Sequence, residues 1–383
     1  MRLTNAVSIT VGVLWLAQGG LPLGAACGES EEEQVVSGRL SVAGKYDSNV
    51  DLLSGDLPED AEPDEEIDEA FMTELSALLL LQPRLAPPWR LEVELYGLGD
   101  LHVEAMGDSW YTARGNLSLG YGLGASTISL LNEGRYLSEP DDTEFDNYRN
   151  TASLVWTHVF SDLWQARLGY ESIVHVYPES DFFNYHADGG FVEARNTWTP
   201  TFSTYYAYHF HYYQGTGDSG PDETLGSPES SNRHTVEVGF ESFLAGKGPL
   251  LGTYTFQADD SSGKGAAQIG EIRGEDENLE PEAEFDFIKH KGTLLYSHEL
   301  SDRLTLSLYG ELIHKTYSDL ADNEDGHGRE RTDTLLLSSV WLTVRLHGEW
   351  YLKPRYLYRM NQSTFDSEDF QDHIAYLGLE YRF

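Results

Sequence analysis

Apolar and polar residues alternate with a period of two along most of this chain. At the C-terminus Ala375, Leu377, Leu379, Tyr381 and Phe383 fall on one face, and Tyr376, Gly378, Glu380 and Arg382 fall on the other. Successive side chains of a strand point to opposite faces. Such a row suits a strand with hydrocarbon on one side and water on the other. The pattern recurs. Leu91, Val93 and Leu95 oppose Glu92 and Glu94, and Leu117, Leu119, Tyr121 and Leu123 oppose Asn116, Ser118 and Gly120. Leu304, Leu306, Leu308 and Leu312 oppose Arg303, Thr305, Ser307 and Glu311. Trp350, Leu352, Tyr356 and Tyr358 oppose Lys353, Arg355 and Arg359. The runs are about 10–13 residues long, close to the length that a tilted transmembrane strand needs.

About sixteen such runs are present, within a range of about fourteen to eighteen, and an even number is expected when both chain ends lie on one side. They begin near Val35, Phe71, Trp89, Ser109, Ala125, Asn147, Leu163, Gly189, Thr201, Arg233, Leu250, Phe287, Arg303, Arg331, Gly348 and His373. Short connections alternate with long ones at 51–70, 102–108, 138–146, 177–188, 214–232, 258–286, 318–330 and 364–372. This layout predicts an all-β fold, a transmembrane antiparallel β-barrel with periplasmic turns and extracellular loops. A sandwich would space its turns more closely. Trp89, Trp110, Tyr111, Trp156, Phe160, Trp164, Trp198, Trp341, Trp350 and Phe383 stand near strand ends and are expected to form interfacial girdles.

The first 26 residues differ from the rest. Arg2, the apolar run from Ala6 to Ala17 and the small residues Gly24-Ala25-Ala26 have the order of a secretory signal peptide. Cys27 follows directly and resembles a lipoprotein acylation site, although Leu23 lies one position too far upstream. Beyond residue 26 no apolar stretch is long enough for a membrane-spanning helix. The expected organisation is a signal peptide over 1–26, a short acidic segment over 27–34 and the barrel over 35–383. The expected location is the outer membrane of a Gram-negative bacterium.

Charge narrows the function. The chain has 64 Asp+Glu against 25 Lys+Arg, a formal net charge of −39. This excludes a nucleic-acid binder, which needs a basic face. One cysteine excludes a disulfide framework, and no Cys/His cluster has structural-zinc spacing. The acid concentrates in the long connections: residues 51–70 hold ten Asp/Glu and no Lys or Arg. Three roles fit it. The acids repel one another in solvated loops, bridge divalent cations and lipopolysaccharide, or form a mouth that favours cations. The segment Asp64-Glu65-Glu66-Ile67-Asp68 lacks the glycine turn and bidentate end of an EF-hand loop.

The polar faces nominate the pore lining. Glu92, Glu94, Glu171, Glu193, Glu237, Glu241, Glu311 and Glu380 are expected to point inward, as are Arg114, Arg167, Arg195, Arg303, Lys353, Arg355, Arg359 and Arg382. Opposite charges on facing walls would set up a transverse field, whereas paired charges would close the bore. Sixteen strands leave room for an aqueous channel. No enzyme motif stands out, and no metal or other cofactor is expected. His209 and His211 share a face with Tyr205 and Tyr213, but two ligands make a weak metal site. Ser297, His298 and Glu299 are consecutive, and His298 falls on the strand face opposite both of its neighbours, so they make no triad.

Leu377, Leu379, Tyr381 and the terminal Phe383 resemble the assembly signal of Gram-negative outer-membrane barrels. That resemblance implies insertion by the barrel-assembly machinery. The opening segment Gly38-Arg39-Leu40-Ser41-Val42-Ala43-Gly44-Lys45-Tyr46-Asp47-Ser48-Asn49-Val50 resembles the first strand of exopolysaccharide-secretion porins and surface-lipoprotein assembly modifiers. Many members of those families carry a helical-repeat domain where this chain has a short acidic segment. The expected function is a porin-like channel passing hydrophilic solutes, with cations favoured. The alternatives are a conduit for exopolysaccharide, working with periplasmic export partners, a barrel that sheathes or docks a partner protein, and a barrel hydrolase.

Overall fold

The computed structural model describes residues 36–48, 70–83, 85–102, 109–138, 146–178, 184–215, 230–244, 248–261, 287–322, 329–364 and 370–383. The leader, the segment 27–34, Cys27 and most of the long acidic connections lie outside the described residues.

Sixteen strands form one closed antiparallel barrel in which each strand pairs with its chain neighbours and the last pairs with the first. They are β1 Val36–Asp47, β2 Ala70–Leu81, β3 Trp89–His102, β4 Trp110–Leu123, β5 Ser126–Ser138, β6 Asn147–Ser161, β7 Trp164–Val176 and β8 Tyr185–Thr199. The second half comprises β9 Phe202–Gly215, β10 Ser231–Phe243, β11 Pro249–Ser261, β12 Phe287–Ser301, β13 Leu304–Asp322, β14 Arg329–Arg345, β15 Trp350–Ser363 and β16 Phe370–Arg382. Fifteen of the starts lie within three residues of those expected from alternation. The exception is β8, which begins at Tyr185 rather than Gly189, because Ala187 and Gly189 interrupt the alternation that marks its other positions.

Short turns close one end of the barrel. Two-residue turns lie at Gly124-Ala125, Asp162-Leu163, Pro200-Thr201 and Asp302-Arg303. Gly124 has φ +66° and Gly348, in the turn between β14 and β15, has φ +60°; glycine adopts this left-handed conformation without steric cost. The opposite end carries the long connections.

The outward rows are apolar. Leu40, Leu95, Leu130, Leu154, Leu168, Val192, Val238, Leu294, Leu308, Leu312 and Leu377 are all exposed large hydrophobics. In a water-soluble chain this much exposed apolar surface would be a liability; around a barrel it is the hydrocarbon-facing band. Turn-side aromatics ring that band at Trp89, Trp156, Phe160, Trp164, Trp198, Trp350 and Phe383. Tyr111 is outward at the loop side. Trp110 and Trp341 depart from the expected girdle. Trp110 is 2% exposed in an interior cluster, and Trp341 stands opposite Arg355 on the inward face. Each shares a parity with inward polar residues on its own strand, Arg114 and Ser339, and parity decides the side.

The seam between β1 and β16 pairs Arg39 with Arg382 through to Asp47 with Ile374. It extends to the last residue, where Gly38 and Phe383 exchange backbone hydrogen bonds of 2.9 and 3.0 Å. The Phe383 ring lies over Gly38, and a Cβ there would stand 2.6 Å from both the ring and the Leu78 carbonyl. Leu377, Leu379 and Tyr381 face outward beside this closure. Gly38→Val is therefore expected to destabilise the barrel by about 1–3 kcal/mol through overpacking. The check is the urea midpoint of the heat-modifiable folded band, with Ser37→Val as the control one position away.

Candidate functional site: the barrel interior

Strand register and burial define the inward rows. Side chains on those rows meet across intervening strands, which only the inside of a closed ring permits. Lys45 on β1 reaches Asp100 on β3 at 2.9 Å, Arg195 on β8 reaches Glu241 on β10 at 2.6 Å, and His211 on β9 donates to Glu171 on β7 at 3.0 Å.

Fifteen of the sixteen nominated charges lie on these rows. The exception is Arg303, which occupies the exposed Asp302-Arg303 turn between β12 and β13. Its strand begins one residue later than the alternation implied, so Arg303 belongs to the rim and not to the wall. The placed charges pair along the wall, between strands one or two apart, instead of standing as opposed arcs. Arg167 bonds Glu193 at 2.7 Å, and Arg114 bonds Glu133 at 2.9 Å. Lys291 meets Glu311 at 3.1 Å, and Lys353 meets Glu380 at 2.5 Å. Arg382 joins Glu380 at 2.7 Å and lies 4.1 Å from the centre of the Tyr351 ring. Glu92 accepts from Gln82 at 2.7 Å, Glu94 from Asn116 at 3.0 Å and Glu237 from Thr255 at 3.3 Å. Arg355 donates to Ser339 at 2.9 Å and stands 5.3 Å from the Tyr376 ring centre.

A buried ionic chain stitches the seam from inside. Arg359 on β15 donates through Nε to Asp372 on β16 at 2.8 Å and lies 3.8 Å from Asp47 on β1. Lys45 lies 3.6 Å from Asp47 and continues to Asp100. These side chains are almost fully buried, so each charge depends on its partners to offset lost hydration. The link between Arg359 and Asp47 is not visible in sequence, because the two come from opposite ends of the chain.

On the other arc His209 and His211 stand near two carboxylates that the sequence did not connect with them. His209 lies 3.9 Å from both Glu171 and Glu193. Glycines make room for the rings on this arc. The Phe191 ring covers Gly169, the His211 ring covers Gly189 and the Tyr205 ring covers Gly239, each where a Cβ would come within 2.3 Å of the ring. Among the described residues no group of three or more His, Cys, Asp or Glu is arranged to hold a metal ion.

The interior also holds an apolar cluster that sequence reasoning missed. Leu98, Trp110, Leu137, Leu337, Leu357, Ile374 and Tyr376 pack together, with Tyr96 and Tyr309 against them. Leu337, Leu357 and Ile374 are 0% exposed. A second cluster joins Ile173, Tyr185, Ala187 and Tyr213. A signal existed: Leu335-Leu336-Leu337 is apolar on both parities, so one parity had to line the interior. Burial follows a gradient along the bore. Inward residues toward the loop side are buried, among them Asp47, Lys45, Asp100, His175, Arg233, Asp259, Phe287, Lys315 and Asp372. Several nearest the turns, such as Arg90, Glu92, Arg39, Glu299 and Arg382, are exposed or half-buried, although Ser203, Leu251 and Glu380 are buried there. The loop-side half of the interior is thus the more closely packed.

No family model matches the chain, and no curated protein matches it. Among solved structures it is similar to CdiB from Acinetobacter baumannii, with a TM-score of 0.50 and 9% identity over 91% of this chain and 60% of that one. It also aligns with a "Bacterial polysaccharide outer membrane secretin" (TM-score 0.45, 11% identity, 90% of this chain and 98% of that chain). A third is the outer membrane protein opdK from Pseudomonas aeruginosa (TM-score 0.47, 10% identity, 91% and 99%). At these identities the likeness shows the fold alone: that of an outer-membrane β-barrel.

The seam chain yields a stability test. Arg359→Ala leaves Asp47 and Asp372 buried without their guanidinium and is expected to cost about 3–5 kcal/mol. The triple variant Asp47→Asn, Arg359→Met, Asp372→Asn removes charge from all three positions and is expected to recover most of that loss in urea titrations.

Proposed function

We propose that this chain is an outer-membrane channel for hydrophilic solutes, constricted in the loop-side half of its bore. The observation that carries this reading is the burial gradient: a polar wall with several exposed charges near the turns leads into a packed zone built on Leu337, Leu357 and Ile374. A sixteen-strand ring is wide enough for an aqueous path, and what narrows it here is side-chain packing. Passage then depends on how those side chains move aside, so the channel is gated rather than permanently wide. The interior is read as a passage and not as a reaction site.

Cation preference follows from where charge is left over. Many of the wall's acids, such as Glu193, Glu241, Glu311 and Glu380, are paired with bases, while the chain as a whole carries −39. The surplus acid lies in the sequence of the long connections, and acidic rings at a mouth select cations. An exopolysaccharide conduit would need the packed zone to clear across its full width. A sheath for a partner protein would show no conductance alone.

The test is conductance of the refolded mature protein in a planar bilayer, with the reversal potential taken under a salt gradient. Steps with cation preference are expected. A folded, heat-modifiable barrel without conductance would overturn the channel reading, and anion preference would overturn the selectivity. Combining Leu337→Ala, Leu357→Ala and Ile374→Ala empties the centre of the cluster and is expected to raise single-channel conductance about twofold or more, since such truncations leave cavities that the surroundings fill only partly.

A further inference from the structure

Three buried polar atoms on the inward wall beside the seam have no hydrogen-bond partner: Oδ1 of Asp100 on β3, Nη2 of Arg355 on β15 and the hydroxyl of Tyr376 on β16. Asp100 is 1% exposed and Tyr376 8%. Such atoms are uncommon, because each has given up its hydration for nothing. These three are neighbours. Tyr376 is the register partner of Arg355 on one side and of Lys45 on the other. Its ring centre lies 5.3 Å from the Arg355 guanidinium and 6.0 Å from the Lys45 ammonium. Lys45 in turn holds the other oxygen of Asp100, at 2.9 Å. The charges that act on the Tyr376 hydroxyl are those of Arg355, Glu74, Arg359 and Asp100.

Glu74 on β2 completes the group. It stands level with Asp100 in the register of β2 and β3, on the inward row. Among the described residues it makes no ion pair and no hydrogen bond, although it feels the charges of Asp100, Lys45 and Arg355. Arg355 likewise has no carboxylate partner among them, and its Nε donates to Ser339 at 2.9 Å. The surrounding charges are already matched, Lys45 with Asp47 and Asp100, Arg359 with Asp47 and Asp372. What remains is a carboxylate and a guanidinium that face one space without touching. An unpaired carboxylate oxygen lies on the acidic side and an unpaired hydroxyl on the basic side. Glu74 and Arg355 are half-buried, so the space communicates with the bore. An ammonium alone would meet Glu74 and Asp100 but be repelled by Arg355, and a carboxylate alone would meet the reverse. A small solute with both charges on neighbouring atoms answers all four groups. Its hydrogen bonds are charge-assisted and so stronger than those of water or a neutral hydroxyl.

We propose that this part of the wall is a binding subsite for small zwitterionic solutes of the amino-acid class, with the ammonium on Glu74 and Asp100 and the carboxylate on Arg355 and Tyr376. As a step in passage the subsite rests on the channel reading, whereas binding to the wall does not.

The experiment uses the full mature chain refolded in non-ionic detergent micelles, with ligand binding read by saturation-transfer NMR on methyl protons. The probes are L-alanine, and ethylamine and propionate as half-ligands with one charge each. Alanine is expected to half-saturate at a concentration about tenfold or more below either half-ligand, the range for one hydrogen bond to a charged group. Glu74→Gln is expected to bring alanine to the level of propionate, and Arg355→Gln to the level of ethylamine. Tyr376→Phe keeps the ring and removes only the hydroxyl, and is expected to weaken alanine about threefold or more. Heat-modifiable migration establishes that each variant is folded. Alanine binding no tighter than that of the half-ligands would overturn the proposal, because water then fills the space. Unchanged preference for alanine in the folded Glu74→Gln variant would overturn it as well. Planar-bilayer conductance of the same preparation separates the two readings. A conducting barrel without alanine preference overturns the subsite alone, and a non-conducting barrel that prefers alanine overturns the channel alone.

Discussion

In hydrocarbon a backbone N–H or C=O has no water to turn to, so every such group of a spanning segment must be satisfied within the protein. The whole architecture follows from this. A sheet meets the demand only if it has no edge, and the pairing of β16 with β1 removes the last one. Closure then makes the pleat decisive. Each residue faces either lipid or the interior, and its neighbour faces the other. The apolar rows at Leu40, Leu130 or Leu308 and the charged rows at Arg167 or Glu311 are two products of one geometric requirement.

A ring of sixteen strands encloses more volume than its own backbone fills, so what happens inside is decided by side chains. Two different solutions occupy this interior. Around the seam, charges are buried together: Arg359, Asp47, Asp372, Lys45 and Asp100 hold strands that no ladder directly joins. Next to them Leu337, Leu357, Ile374 and Tyr376 pack as a soluble protein's core would. Lining the rest, ion pairs such as Arg195–Glu241 lie along the wall and leave a polar surface toward the turns. A barrel of this kind is rigid in its ladders and adjustable in its filling. That division suits a channel whose passage is governed by a small group of side chains.

Much of this was legible from the sequence because the strand period is two and the turns are short. Alternation gave all sixteen strands, and Glu92, Glu171, Arg355 and most of their counterparts stand on the inward rows. Arg303 stands in a turn, because its strand begins one residue later than the alternation implies, and a boundary decides whether a charge is wall or rim. Trp110 and Trp341 failed because nearness to a strand end was weighed above parity. Partnerships were not legible. Arg359 finding Asp47, or His209 lying near Glu171, depends on which residues stand level on strands far apart in sequence. Register, not local pattern, sets that level. The same holds for Tyr208 and His234, which are unremarkable separately and meet at 2.8 Å only when β9 and β10 are aligned.

The pleat has one more consequence. Residues consecutive in the chain belong to different solvents, so each strand is in effect read in a two-position frame. A substitution alters one face and leaves the other as it was. A single deletion shifts the frame for every residue up to the next turn, moving Glu or Arg into hydrocarbon and Leu into the bore. Substitution on such a chain is therefore a local event, whereas a change of strand length is not.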